Sequence, residues 1–155
     1  MSININLIDA YGQFYTGGLL HHELTHIIFA LPFAIYIYKK SHSLTSILVL
    51  FLVTIFVDVD HLADYFLHYG VSFDLTKFFK LDYFGFSGNK DWALVPFHGW
   101  EWLILLVFIN MGKRWDSKRR AVLFGYLPHI VLDTINVSSI IFYSLTYRII
   151  LLLLL

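Results

Sequence analysis

Five stretches of the chain are apolar almost throughout, and polar residues gather at their ends. They run from about Leu24 to Tyr38, Ser43 to Val57, Trp100 to just before Lys113-Arg114, Ala121 to Ile135, and Val137 to Leu155. All are rich in Leu, Ile, Val and Phe and show no alternation of apolar and polar positions, so the pattern predicts helices rather than strands. No run reaches 18 residues free of charge, the length expected of a plain transmembrane helix. Fifteen residues rise only about 22 Å against a hydrocarbon layer of about 30 Å. Each helix therefore spans a bilayer only if the polar residues at one of its ends enter the membrane with it. The expectation is an all-α integral membrane protein, a compact bundle of about five short transmembrane helices, built as a single domain over residues 1–155. Residues 61–96 are expected to form an extracytoplasmic, interfacial insertion. Leu62 to Tyr69 continues the second helix there, and Phe73, Phe78, Phe79, Tyr83, Phe84 and Phe86 mark short helices broken at Gly70, Gly85 and Gly88.

Composition sharpens this reading. Hydrophobic residues make up 58% of the 155, and charged residues only 14%. Such a balance excludes a disordered chain, a coiled-coil rod and a nucleic-acid-binding tail. Eleven Lys and Arg balance eleven Asp and Glu, so bulk charge points to no anionic partner and no nucleic acid. Basic residues nevertheless cluster. With five crossings, Lys39, Lys40, Lys113, Arg114, Lys118, Arg119 and Arg120 fall on one side, opposed there only by Asp116. The positive-inside rule puts that side in the cytoplasm and the N-terminus outside, in a bacterial or archaeal plasma membrane. The first 23 residues lack a basic leader region, so they do not read as a standard cleavable signal peptide.

Absence of cysteine excludes disulfides, thiolate metal sites and cysteine nucleophiles, and leaves eight histidines as the candidate nitrogen ligands. Four polar clusters then stand out. His21-His22-Glu23-Leu24-Thr25-His26 opens the first helix, and Asp58-Val59-Asp60-His61 with Asp64 closes the second. His98-Gly99-Trp100-Glu101 opens the third, and His129 with Asp133 lies near the end of the fourth. Helices one and three begin on the outer side while two and four end there, so all four clusters come to one membrane level. Their spacings place side chains on shared helix faces: His129 and Asp133 are i, i+4, and Asp58 and His61 are i, i+3. Helical bundles that hold metals use such pairs projecting inward. Carboxylates inside a membrane are costly, and divalent cations compensate them. Imidazole and carboxylate ligands without thiolates favour Zn, with Mn or Fe as further options. The His21-His22 pair reads as interfacial, and Arg148, inside the last apolar stretch, as snorkelling to the headgroups.

At these residues the chain resembles the YdjM-like family of membrane-bound metal-dependent hydrolases. That family's motifs correspond to Thr25-His26, Asp58-Val59-Asp60-His61, Phe97-His98-Gly99-Trp100-Glu101 and Gly125-Tyr126-Leu127-Pro128-His129-Ile130-Val131-Leu132-Asp133, over about residues 24–136. The third motif departs from the family form, which has two histidines and an arginine; here there is one histidine, with Glu101 nearby. The His/Asp-rich helical site is similar, more loosely, to that of zinc-dependent phospholipases C. The resemblance implies a membrane-embedded hydrolase that cleaves a phosphoester of a lipid or lipid-linked substrate at the outer face. His26, Asp58, Asp60, His61, His98, His129 and Asp133 form the expected metal-ligand pool, with Glu101 or Asp64 as catalytic base or histidine orienter. Two other classes share these features. A cation transporter or channel would need polar residues deep in the bundle, where Phe29–Tyr38 and Leu44–Val53 are almost wholly apolar, and a non-catalytic accessory subunit would need no metal.

Overall fold

The computed structural model describes residues 18–81, 83, 93–111, 115–137 and 139–154. Residues 1–17 of the 23 read above as lacking a signal-peptide leader, and Phe84, Gly85, Phe86, Gly88, Lys113 and Arg114, lie outside the described residues. Within them every regular element is helical. Helix α1 spans Gly18–Ser41 and α2 Leu44–Phe56. A 3₁₀ turn over Val57–Asp60 links α2 to α3, His61–Tyr69. Then follow α4, Leu75–Lys80; α5, Trp100–Asn110; and α6, Ser117–Val137. A second 3₁₀ turn, Ile141–Tyr143, precedes α7, Leu145–Leu154.

The expected five spans are corrected here. Among the described residues, two helical segments are both long and apolar enough to cross a membrane: Gly18–Ser41 with 24 residues and the run Leu44–Tyr69 with 26. They rise about 36 and 39 Å, past the roughly 30 Å hydrocarbon layer. Helix α5 has 11 residues and α7 has 10, rises of about 16 and 15 Å that no tilt can extend. The apolar stretch after Val137 is interrupted at Ser139 and Ser144, whose hydroxyls bond the backbone of the turn and of α7. Such hydroxyls compete with helical hydrogen bonding. Helix α6 has the length, 21 residues, but carries Lys118, Arg119, Arg120, His129 and Asp133.

Helices α1, α2 and α6 form the frame. A two-residue link turns α1 into α2, with His42 in the left-handed region and Ser43 capping α2 through its hydroxyl. Helix α6 runs parallel to α2 and packs on both. Ala30, Ala34 and Ile37 of α1, Leu50 of α2 and Ala121 of α6 make one dry core at the end that carries Lys39, Lys40, Lys118, Arg119 and Arg120. Gly125 lets α6 approach α2 closely: a Cβ there would lie 2.5 Å from the Leu50 carbonyl oxygen. Thr54 Oγ1 closes the same gap by donating to the Gly125 carbonyl at 3.2 Å. Helices α3 and α4 fold over the start of α1, where Leu19, Tyr65, Leu81 and Tyr83 pack together. The remaining core, around Val57, Val95, Tyr126, Ile130, Phe142 and Tyr143, joins α6 to the 93–99 segment and the second 3₁₀ turn. Outward faces stay apolar: Leu24, Ile28, Ile35, Leu48, Leu52 and Phe56 of the two long helices are all exposed.

Candidate metal centre

Opposite the dry core, four segments each deliver polar side chains to one buried volume. The first turns of α1 carry His22 and His26 one turn apart, with their Nε2 atoms 3.0 Å from each other. The 3₁₀ turn winds the chain more tightly than an α-helix, and from it Asp58, Asp60 and then His61 point inward. His98 comes from the irregular 93–99 segment just before α5. His129 and Asp133 sit one turn apart on the inner face of α6. All eight of these side chains are buried.

Two carboxylates organise the five imidazoles. Asp58 Oδ1 lies 3.2 Å from His61 Nε2 and 3.1 Å from His98 Nε2, and 3.6 Å from the Nε2 of both His22 and His129. Asp133 faces two ways. Its Oδ1 is 3.0 Å from His26 Nε2 and 3.5 Å from His22 Nε2, while its Oδ2 is 3.2 Å from the Nε2 of His98 and of His129. The atoms fall into three overlapping groups of metal-chelating composition: His22, His26, His129 and Asp133; Asp58, His98, His129 and Asp133; and His22, Asp58 and His61.

This chemistry fits a cation. A neutral imidazole carries one N–H. That of His98 is committed at Nδ1, 3.0 Å from Asp60, so its Nε2 presents a lone pair to the oxygens of Asp58 and Asp133. Lone pair facing lone pair in a buried site is repulsive unless positive charge stands between them. Asp58 Oδ2 and both oxygens of Asp133 accept no hydrogen bond. The field is correspondingly negative. Burial lowers the proton affinity of His129, yet Asp58 and Asp133 outweigh it and push the imidazole up to about 10. His98 is likewise raised: burial lowers it, and the carboxylates of Asp60, Asp133 and Asp58 together outweigh that. A proton would relieve one nitrogen; five convergent nitrogens and two carboxylates form a ligand set for metal. In a tetrahedron with Zn–N of about 2.0–2.1 Å, ligand atoms stand about 3.3–3.4 Å apart, and the observed separations bracket that edge.

The 95–99 segment is held from several sides. Asp60 Oδ2 accepts from the Phe97 N–H, and Tyr126 Oη accepts from the Gly99 N–H at 3.2 Å while lying 2.7 Å from the Phe97 carbonyl. Arg148, buried on α7, donates to the carbonyls of Val95 and His98.

Of the expected ligands, His26, Asp58, His61, His98, His129 and Asp133 meet in the groups above. Asp60 stands one step back, on the outer nitrogen of His98. The two expected catalytic carboxylates lie outside the groups. Glu101 accepts from Ser144 Oγ at 2.7 Å, from the Leu145 N–H at 2.9 Å and from the Thr146 N–H at 3.0 Å, capping α7 from a neighbouring helix. Burial raises its pKa, but these donors prevail and lower it to about 2. Asp64 is fully buried and accepts from the Leu94 N–H at 2.9 Å, tying α3 to the His98 segment. His22, expected at the interface, belongs to two of the three groups; its i, i+4 spacing to His26 is the signal that finds it. Arg148, expected to snorkel, turns inward instead. Glu23, beside His22, interacts with Asp58, His129 and Asp133, and its buried Oε2 accepts no hydrogen bond.

No family model, curated protein or solved structure matches the chain.

Proposed function

We propose that this protein is a membrane-associated, metal-dependent hydrolase acting on a phosphoester of a lipid or lipid-linked substrate, and that it belongs with the YdjM-like hydrolases its motifs resemble. The observation that carries the reading is the convergence of five imidazole Nε2 atoms and two carboxylates, from four separate segments, into one buried volume. A divalent ion held by these residues, Zn before Mn or Fe, would supply a Lewis acid and lower the pKa of water toward about 7. The chain's own residues supply the rest. Asp60 fixes the ring of His98 through Nδ1, and Arg148 and Tyr126 fix the backbone on which His98 rides. Hydrolysis needs a group to take a proton from the attacking water and return it to the leaving oxygen. Glu23 is suited to this, because it borders the cluster with an oxygen no donor occupies, whereas Glu101 is committed to α7. Two long apolar helices with exposed Leu, Ile and Phe on their outer faces support a membrane setting, where a lipid substrate arrives laterally. The dry core of Ala30, Ala34, Ile37, Leu50 and Ala121 below the site argues against an ion path through the frame.

The test is phosphate release from phosphatidic acid and from a chromogenic phosphoester, with protein purified in mild detergent and loaded with Zn²⁺ or Mn²⁺. The account predicts metal-dependent hydrolysis that His129→Ala abolishes. Glu23→Gln slows it by about 10²–10⁴-fold while metal stays bound. Metal-loaded protein inert toward every phosphoester would refute the enzymatic reading.

A further inference from the structure

The two oxygens of Asp133 serve different histidines. Oδ1 meets His26 at 3.0 Å and His22 at 3.5 Å; Oδ2 meets His98 and His129, both at 3.2 Å. Within each set the nitrogens are also neighbours: His22 and His26 are 3.0 Å apart, and His98 and His129 3.2 Å. A single ion at about 2.0–2.1 Å from each ligand cannot draw on all four nitrogens and both carboxylate oxygens without exceeding the usual tetrahedral count. Asp58 Oδ1 adds a further oxygen to the second set, 3.1 Å from His98 Nε2.

We propose that the centre is dinuclear, with Asp133 bridging one ion held by His22 and His26 to a second held by His98, His129 and Asp58. The proposal rests on the metal-binding part of the function above and not on the hydrolytic part. Carboxylate-bridged pairs stand about 3.5–4 Å apart in two-metal sites and clamp the attacking and leaving oxygens of an in-line displacement. A carboxylate whose two oxygens point to two separate nitrogen pairs has the arrangement a bridge needs.

The experiment loads the full-length protein in detergent with Mn²⁺, measures metal per chain by elemental mass spectrometry, and records electron paramagnetic resonance spectra. Wild-type protein is expected to hold two ions per chain with an exchange-coupled spectrum. His26→Ala and His98→Ala are each expected to hold one, with the spectrum of an isolated ion, and circular dichroism reports whether each variant keeps its helices. Asp133→Asn, which keeps the volume but removes a bridging oxygen, is expected to lose the coupling even where metal remains. One ion per chain with an uncoupled spectrum in the wild type overturns the dinuclear assignment and leaves a mononuclear hydrolase standing. Absence of metal from folded wild-type protein overturns this proposal together with the metal reading.

Discussion

Replacing Gly125 with alanine adds one methyl group a full turn before His129, at the point where α6 touches α2. The new Cβ would stand 2.5 Å from the Leu50 carbonyl oxygen, 3.0 Å from Val53 Cβ and 3.1 Å from Val53 Cγ1, where ordinary contact begins at 3.4 Å. Because the nearest atom is backbone, no rotamer change relieves the contact, and the helices must separate by roughly 1 Å. Overpacking of this kind costs about 1–3 kcal/mol. Stretching the 3.2 Å bond from Thr54 to the Gly125 carbonyl adds about 1 kcal/mol. Alanine's better helix propensity returns about 1 kcal/mol. The net expectation is a destabilisation of about 1–3 kcal/mol, read as a fall of several degrees in Tm in detergent. Metal ligation tolerates only about 0.2 Å of misplacement, so Asp58, in the turn that continues α2, and His129 and Asp133 on α6 also lose register. Metal content should fall with Tm. Trimming Val53 to alanine in the same chain should not restore either quantity, because the Leu50 carbonyl remains. Full metal content and an unchanged Tm in Gly125→Ala, or rescue by Val53→Ala, would refute this account of the helix contact.

Arg148→Met should leave the carbonyls of Val95 and His98 buried without their donor, at about 1–3 kcal/mol each, and chelator-treated and metal-loaded samples should differ less in Tm than wild type. Asp60→Asn should weaken metal binding by about 10–100-fold, measured by competition with a chelating dye, because His98 loses the carboxylate on its outer nitrogen. Glu101→Gln should leave metal content unchanged and lower stability by about 0.5–1 kcal/mol at neutral pH, the smaller part of the capping range for a solvent-screened group. The folded-state pKa of Glu101 lies near 2, below its ordinary 4.5, so its contribution is complete above pH 4.5 and vanishes as pH falls toward 2. The stability gap between wild type and Glu101→Gln, followed by chemical denaturation at descending pH, should therefore close across that window.

Helix-face spacing carried the buried His/Asp cluster legibly, since Asp58 with His61 and His129 with Asp133 need only one turn of helix to align. His22 was equally visible as the i−4 partner of His26, but a histidine pair at a helix start also suits a headgroup position, and burial decides between the two. Glu101 shows where local reasoning ends. Its position three residues after His98 looks like a ligand pair, yet its carboxylate is claimed by N–H groups 44 and 45 residues away. Arg148 is the same case: its partners at Val95 and His98 lie 53 and 50 residues earlier. The span count failed because apolar runs do not mark where helices stop. The apolar run that begins at Val137 is broken near Ser139 and Ser144, whose hydroxyls bond the backbone, so α7 starts only at Leu145.

Metal content of the purified protein tests the central claim most directly. Protein prepared in mild detergent without chelators would be measured by elemental mass spectrometry beside a His61→Ala, His129→Ala double variant, both reloaded with Zn²⁺ and dialysed. The account predicts stoichiometric or higher Zn in the wild type and at least one ion fewer per chain in the variant, which lacks His129 of the second set. Folded wild-type protein that stays metal-free after reloading would contradict it.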